Sequence, residues 1–311
     1  MVIAVGGENL IDFVQENEDR VPPAYVAHPG GSPMNVAMAL SRQGADVHYL
    51  SPVSQDALGQ LIATRLEADG VTLATPRVPQ PTSLAVVSLT DGAATYEFYR
   101  DNTAERQISA DQLEAASPNG MRAFHVGSAA LVSGQDAAVW EAFHAQCHAA
   151  GILTCYDPNA RPSLTPDRDD FVARVERMSR HTDVLKLSDE DLGWLYPDTP
   201  LDVAFDALVS SSGAPLVVLT RGPDGAWARA GQARASVAAP TVDPLVDTVG
   251  AGDTFMATLI RQVVDRDGDT QFDDAGLARL LTTAAQAAAI NCTRAGCQPP
   301  TRPELELALS A

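Results

Sequence analysis

The chain has 311 residues, of which 45% are hydrophobic, so it can bury a sizeable core and is of a length that large single α/β domains reach. Its 21 Lys and Arg are outnumbered by 40 Asp and Glu, which gives a formal net charge of −19. This balance argues against a nucleic-acid backbone or an anionic membrane as partner, although a local pocket can still bind an anionic substrate.

The cysteines and the first residues of the chain give expectations about its cellular compartment. Cys147, Cys155, Cys292 and Cys297 form no C-x-x-C pair and no zinc-like spacing with histidine. The first residues lack the basic start and long apolar core of a signal peptide. No apolar run approaches the ~20 residues that a membrane-spanning helix needs. We therefore expect a reduced, cytoplasmic protein.

The N-terminal part of the chain contains two glycine-rich junctions. Residues 2–5 are predicted to form a buried strand that ends in a turn, and Asp12 follows this strand. Gly30-Gly31 is predicted to open a helix, with Ser32 as its cap and Asn35 in its first turn. Ligands of open α/β sheets bind where strands end, so Asp12 and Asn35 are candidates to bind a hydroxylated substrate. An ordinary loop acid and a helix-capping amide are the alternatives.

A segment of different character follows. Residues 83–89 and 93–99 are rich in β-forming residues, and Asp91-Gly92 between them is a strong hairpin signal. Residues 13–29 carry one short predicted strand, at 25–27. We expect residues 13–29 and 81–101 to form a small sheet that projects from the main one as a lid.

The remaining elements alternate regularly. Strands are predicted at 45–53, 123–126, 152–156, 183–187 and 216–219, and helices at 56–70, 135–149, 169–180, 189–195, 202–210 and 273–290. Such alternation implies one α/β domain over residues 1–311, with a mainly parallel sheet covered on both faces. Polar clusters follow four strands, at 8–12, 157–161, 186–191 and 220–225. One edge of a parallel sheet would bring these clusters together.

Residues 247–255 form the most informative stretch. A turn that contains Gly250 and Gly252 leads into a helix predicted over 254–264. Unpaired N–H groups and the helix dipole make such a junction an anion site, suited to a phosphate. A carboxylate there repels phosphate, so Asp253 makes sense if it takes a proton from the hydroxyl that attacks the phosphate. A capped helix start with an acid in its first turn is the alternative.

Two stretches resemble the two signatures of the ribokinase-like, or PfkB-type, carbohydrate kinases. They are DTVGAGDTF at 247–255 and GGSPMNVAMALSRQGADVHYLSPVSQDALGQ at 30–60, and the resemblance extends over residues 2–303. It implies a three-layer ribokinase-like fold with a small β lid. It also implies a kinase that transfers the γ-phosphoryl group of ATP to a sugar hydroxyl with Mg²⁺ bridging the phosphates. The lid is a candidate surface for a homodimer, as in several relatives.

The resemblance assigns roles to matching positions. Asp253 matches the catalytic base and Gly250, Ala251 and Gly252 the anion hole, whereas Asp12, Gly30, Gly31 and Asn35 match sugar-binding positions. The nucleotide positions are Lys186, Ser188, Thr220, Gly222 and Gly225. The usual Asn-x-x-Glu of the magnesium network is replaced by Ser188-x-x-Asp191. A monovalent cation such as K⁺ would bind at Asp247 and at the backbone carbonyls of Val249, Asn291 and Gly296.

The same resemblance bears on the sugar. Residues 7–12, 98–100 and 157–162 are similar to bacterial fructokinases, and the last is also similar to 2-keto-3-deoxygluconate kinases. Arg100, Asn159 and Arg161 are therefore expected at a substrate that is fructose or the keto acid, with an exposed or helix-capping arginine as the alternative for Arg161. A sugar or nucleotide sensor without activity is the alternative from another class. The intact Gly-Ala-Gly-Asp argues against it, because a sensor needs no base.

Overall fold

The structure is a computed structural model that describes residues 1–17, 19–90 and 93–310. The strands in these residues are β1 (Val2–Val5), β2 (Leu10–Gln15), β3 (Tyr25–Gly30), β4 (Asp46–Tyr49), β5 (Thr72–Leu73), β6 (Ser83–Thr90), β7 (Ala93–Tyr99), β8 (Met121–Gly127), β9 (Leu153–Asp157), β10 (Val184–Ser188), β11 (Leu216–Thr220), β12 (Ala226–Ala230) and β13 (Ala233–Val237). The helices are α1 (Ser32–Arg42), α2 (Ala57–Ala68), α3 (Ala110–Ala116), α4 (Gln135–Ala149), α5 (Arg168–Ser179), α6 (Asp189–Leu195), α7 (Leu201–Ser212), α8 (Ala251–Asp265), α9 (Asp274–Cys292) and α10 (Arg302–Ser310).

Nine strands form the central sheet, in the order β13-β12-β11-β10-β9-β8-β1-β4-β5. Neighbours from β11 to β5 are parallel, because a crossover returns the chain to the same end of the sheet before each strand. The two remaining strands, β12 and β13, follow β11 through short turns and pair antiparallel. The expected mainly parallel sheet is therefore confirmed.

Helices cover both faces of this sheet. Side chains alternate between the faces along a strand, and on β1 Ile3 and Val5 pack into one core while Ala4 packs into another. The first core contains side chains of α1, α2, α8 and α9. The second contains Trp140 of α4 and Phe171 of α5, with side chains of α6 and α7. Two apolar cores thus join the three layers. Burial of each large apolar side chain in them stabilises the fold by about 1.5–3 kcal/mol.

A second sheet, in the order β3-β2-β6-β7, forms the lid. In it β2 pairs antiparallel with β3 and parallel with β6, and β6 pairs antiparallel with β7. The predicted turn at Asp91-Gly92 lies outside the described residues. Strand β2 is not among the predicted strands, and Asp12 lies within it and not in the loop that we expected.

The start of α1 differs from the prediction. Ser32 was predicted to cap the helix, whereas the residue at the cap position is Gly31, which has no side chain to offer. Ser32 is the first helical residue, and its hydroxyl bonds to Asp253 in α8 instead. A local signal for a cap is overridden here by a contact between two helices.

No helix among the described residues is long and apolar enough to cross a membrane.

Candidate active site

The polar clusters that follow the strands meet at one edge of the central sheet. Lys186 on β10 donates to Asp157 at the end of β9 over 2.8 Å. The backbone N–H of Ala160, in the loop after β9, donates to Asp191 of α6. The junction at the start of α8 joins this group, because a Cβ added to Gly252 would lie 3.2 Å from Lys186 Nζ. The convergence that the sequence predicted is confirmed for these groups.

The N-termini of α1 and α8 meet at the carboxylate of Asp253. Ser32 Oγ donates to Asp253 Oδ1 over 2.7 Å, and Asn35 Nδ2 donates to Oδ2 over 2.8 Å. The side chain lies in the first turn of α8 and is 7% exposed. Burial raises the pKa of Asp253 above its ordinary value, and the bonds from Ser32 and Asn35 with the charges of Lys186 and Arg161 oppose that rise. The result is a buried carboxylate bonded by two donors at an anion site.

Gly250 shapes the turn before α8. It caps the helix with a φ of 75°, in the left-handed region that favours glycine. A Cβ at this position would lie 2.4 Å from Cys297 Sγ. Glycine is therefore required by the backbone and also by the packing of Cys297 against the turn.

The pair formed by Lys186 and Asp157 is buried beside the same turn. The two side chains are 4% and 2% exposed. Burial raises the pKa of Asp157 to about 6 although the ammonium of Lys186 lowers it. Burial lowers the pKa of Lys186, but the Asp157 carboxylate outweighs this and raises it above its ordinary value. The ammonium of Lys186 is thus a buried positive charge at the anion site.

The residues that are expected to bind the sugar come from the lid and from α1. Burial raises the pKa of Asp12 on β2 to about 6, with Arg161 opposing and Glu8 adding to the rise. Gly30 lies against this side chain, since a Cβ there would be 2.3 Å from Asp12 Oδ2. Asn35 Oδ1 is buried and has no hydrogen-bond partner among the described residues. The carboxylate of Asp12 and Oδ1 of Asn35 are therefore two acceptors that would suit the hydroxyl groups of the expected sugar.

Gly31 and Glu8 lie against each other at the start of α1. Gly31 has a φ of 116°, and a Cβ there would lie 2.4 Å from the backbone oxygen of Glu8. The buried carboxylate of Glu8 accepts from the N–H of Ser32 over 3.1 Å and from that of Ala130 over 3.2 Å. Glu8 thus accepts from one of the N–H groups at the start of α1 that have no partner within the helix, where no side-chain cap is present.

The two arginines that were expected at the substrate differ in their partners. Arg100 is buried, bonds to both oxygens of Glu105 and donates to the backbone oxygen of Ala129. Arg161 is partly exposed and donates through Nη1 to Asn159 Oδ1 over 2.6 Å. Asn159 in turn donates to Ser32 Oγ over 2.9 Å. The guanidinium of Arg100 thus bonds to protein partners through three nitrogens, whereas that of Arg161 bonds to Asn159 and to the backbone oxygen of Ala160 through Nη1.

The expected nucleotide positions line the ends of β10 and β11. Thr220 and Ser188 are paired residues of these adjacent strands. Gly222 and Gly225 have φ angles of 49° and 86°, and a Cβ at Gly225 would lie 2.0 Å from the oxygen of Val237. These glycines allow the tight turn from β11 into β12.

Asp191 and Ser188 form a capping box at the start of α6. Asp191 Oδ2 accepts from the N–H and hydroxyl of Ser188, and Oδ1 accepts from Ala160 N over 2.6 Å. Each carboxylate oxygen has more than one acceptor site, so these bonds still leave Asp191 room for a further donor or a hydrated cation.

The loop expected to bind a monovalent cation is closed by hydrogen bonds. Asp247 accepts from the N–H of Val249 over 3.0 Å and from that of Gly296 over 2.7 Å. Asn291 Nδ2 donates to the oxygen of Val249 over 2.8 Å. The described part of the chain contains no group of three or more His, Cys, Asp or Glu placed to bind a metal ion.

Three residues of the site were not singled out from sequence. Asp157 lay within a predicted polar cluster, and its place at the end of a buried strand was the available signal. Glu8 lay in another such cluster. Ser32 was assigned to its own helix, because nothing in the local sequence indicates a partner 221 residues away.

Comparisons with known proteins identify relatives of this chain. Residues 2–304 match the pfkB family of carbohydrate kinases. A fructokinase from Rhizobium leguminosarum bv. trifolii is 33% identical over 258 residues, which are 82% of this chain and 77% of the relative. Probable fructokinase-4 from Arabidopsis thaliana is 31% identical over 308 residues, which are 96% and 94%. The structure of a fructokinase from Vibrio cholerae O395 with fructose, ADP and calcium ion superposes with a TM-score of 0.84 at 25% identity, over 99% of this chain and 98% of that one.

The chain belongs to the pfkB family of carbohydrate kinases. It is therefore a phosphotransferase whose acceptor is an alcohol group of a sugar. The expected ribokinase-like α/β fold and the family resemblance are both confirmed.

Proposed function

We propose that the protein is an ATP-dependent fructokinase in which Asp253 is the general base. The observation that carries this proposal is the buried carboxylate of Asp253 within the first turn of a glycine-opened helix, bonded by Ser32 and Asn35. We propose fructose as the sugar because the curated relatives are named as fructokinases. The cytoplasm is the compartment that we propose, with sugar and ATP as the partners.

The reaction follows from this arrangement. The sugar hydroxyl loses its proton to Asp253 as its oxygen attacks the γ-phosphorus of ATP, and ADP leaves with the electrons of the broken P–O bond. The backbone N–H groups of residues 250–252 and the ammonium of Lys186 would bind the transferring phosphoryl group, which is most negatively charged at this point. Asp12, Gly30, Gly31 and Asn35 would position the sugar, and the turn with Thr220, Gly222 and Gly225 would bind the nucleotide.

Two cations belong to the proposal. Mg²⁺ prefers oxygen ligands, and the buried, unpartnered Oδ1 of Asp157 and the carboxylate of Asp191 offer such oxygens near Lys186. Mg²⁺ would neutralise charge on the phosphates of ATP. The loop with Asp247, Val249, Asn291 and Gly296 is our candidate for K⁺. Comparing the rate of ADP release in K⁺ and in Li⁺ tests it, and equal rates would remove this site from the proposal.

The charges around the pocket favour a neutral sugar over a keto acid. Arg100 is paired with Glu105, and Lys186 is paired with Asp157. Arg161 is left to oppose Asp12, Glu8 and Asp253, all of which it influences electrostatically. Because these three acidic side chains outnumber the one arginine, they would repel the carboxylate of 2-keto-3-deoxygluconate. We therefore rank fructose first.

The test is ADP release with Mg-ATP and K⁺ across fructose, ribose, 2-keto-3-deoxygluconate, adenosine and fructose 6-phosphate. We expect the highest kcat/KM for fructose. A preference for the keto acid would assign Arg161 to its carboxylate and keep the mechanism. ATP binding without turnover of any sugar would favour the sensor.

The solvent-exposed surface of the lid is our candidate for a homodimer interface. Tyr96 and Tyr99 on β7 and Val26 on β3 are 53%, 56% and 40% exposed. Aromatic residues are enriched at interfaces. Light scattering coupled to gel filtration should give a dimer mass for the native chain, and a Tyr96→Glu/Tyr99→Glu variant should be monomeric. A monomeric native chain would contradict this part of the proposal.

A further inference from the structure

Four side chains form a continuous row of hydrogen bonds that ends at Asp253. Arg161 Nη1 donates to Asn159 Oδ1 over 2.6 Å, and Asn159 Nδ2 donates to Ser32 Oγ over 2.9 Å. Ser32 Oγ donates to Asp253 Oδ1 over 2.7 Å. The row joins the loop after β9 to the first residue of α1 and the first turn of α8.

The chemistry of each group fixes the direction of the row. A guanidinium can only donate, so the amide oxygen of Asn159 faces Arg161 and the amide nitrogen faces Ser32. The hydroxyl of Ser32 accepts that N–H and has one proton, which is directed to Asp253. Every donor therefore points towards the carboxylate. A cation begins the row and an anion ends it, and charge at either end strengthens such bonds.

The backbone fixes the two middle members. Asn159 has a φ of 38°, a left-handed conformation that Asn adopts more readily than most other residues. Ser32 is bonded at its N–H by the buried carboxylate of Glu8. Both side chains are thus directed by constraints outside the row.

We propose that Arg161, Asn159 and Ser32 form a relay that orients the carboxylate of Asp253 and keeps it ionised until the sugar hydroxyl arrives. The proposal rests on the proposed function for the role of Asp253 as base. In this account Arg161, Asn159 and Ser32 are positioning residues, and the first two act on the base rather than on the sugar alone.

Other groups around Asp253 act beside the relay. The ammonium of Lys186 on β10 also lowers the pKa of Asp253, and it is shared with Asp157 on β9. Cys297, from the segment between α9 and α10, is a neutral thiol because burial raises its pKa. Burial favours the protonated form of Asp253, and a protonated carboxyl group cannot act as the base. The relay opposes this effect with a positive charge and a directed proton.

The test uses Ser32→Ala and Arg161→Met, which interrupt the relay at its middle and at its start. Ser179→Ala is the matched control, because Ser179 is a buried serine whose hydroxyl bonds only within its own helix, to Val175 O. The pKa of Asp253 is read directly from the carboxyl ¹³C shifts of Asp-labelled protein, with Asp253→Asn used to assign the signal. The acid limb of the pH profile of kcat/KM for fructose is measured in parallel.

We expect both relay variants to raise the pKa of Asp253 by about one pH unit, with the acid limb moving equally and the control unchanged. Rates then fall about tenfold on the acid side and recover at higher pH. In the double variant the shift should be smaller than the sum of the single shifts, because both changes interrupt one row.

An unmoved ¹³C titration in Ser32→Ala and Arg161→Met, or strictly additive shifts, would overturn the relay. The ¹³C titration needs no turnover, so it tests the relay even if fructose is not phosphorylated. Absence of any sugar turnover by the native chain would instead refute the proposed function.

Discussion

Replacing Gly252 by Ala should separate activity from stability at the anion site. Gly252 lies in the first turn of α8, and among the described residues the nearest atom to an added Cβ outside the local helix backbone is Lys186 Nζ, at 3.2 Å. This distance is a little short, so the ammonium must move by a few tenths of an ångström. The methyl group would occupy the space between the turn and the charge that we assign to the phosphoryl group.

The expected magnitudes follow from that contact. Ala is favoured over Gly within a helix by about 0.5–1 kcal/mol, which offsets the tighter contact, so the free energy of unfolding should change by less than about 1 kcal/mol. Displacing a charge that stabilises the transition state costs on the order of 10²-fold in kcat.

Gly250→Ala is the matched comparison, and it should behave in the opposite way. Its φ of 75° costs a non-glycine residue about 1–2 kcal/mol, and the added Cβ would lie 2.4 Å from Cys297 Sγ. With about 1–3 kcal/mol for overpacking, we expect the free energy of unfolding to fall by roughly 2–5 kcal/mol. Urea unfolding and steady-state ADP release measure both quantities. A Gly252→Ala protein with native kcat, or one as unstable as Gly250→Ala, would refute the reasoning.

Three further predictions concern single carboxylates and their partners. Asp253→Asn should lower kcat by about 10²–10⁴-fold while ATP binding, followed by calorimetry, persists; a smaller loss would exclude Asp253 as the base. The pKa of Asp12 is about 6, so the KM for fructose should rise as the pH falls through 6, and Asp12→Asn should show a high KM that no longer depends on pH in this range. Lys186→Met leaves Asp157 buried and unpaired, which should lower the free energy of unfolding by about 3–5 kcal/mol at pH 7.5. The pKa of Asp157 is about 6 in the native chain, and removing the ammonium that lowers it raises it further, so urea titrations at pH 5 should show a smaller loss, and equal losses would contradict the assignment.

The central fold could be predicted because its elements carry strong local signals. Helix α4 has the predicted bounds, 135–149, and Gly151 follows its end as a stop signal. Helix α6 also has its predicted bounds, and Ser188 caps it. Because the carboxyl ends of parallel strands lie at one edge of a sheet, the polar clusters that follow them could be expected to lie close together.

The missed strands owe their structure to their neighbours. On β2 the polar Asp12 interrupts an apolar run, and pairing on both sides with β3 and β6 makes the strand. Strands β12 and β13 are rich in Ala, which is depleted in strands, and they form by extending the edge of the sheet beyond β11. Pairing with an existing strand can override a weak propensity, and a single sequence does not show that pairing.

The same limit applies to the site, and it explains why Asp253 could be predicted as a candidate base while its environment could not. Gly250, Gly252 and Asp253 are adjacent in sequence, so the turn, the helix start and the acid appear together. A helix N-terminus favours a carboxylate, yet burial in the closed edge of the sheet favours its protonated form. Residues near Asp253 in sequence supply no positive side chain to offset this burial, so the compensating donors come from α1 and from the loop after β9. The residues at 32, 159 and 161 are therefore linked through one carboxylate, and a change at any of them should be felt at Asp253 although none is its neighbour in sequence.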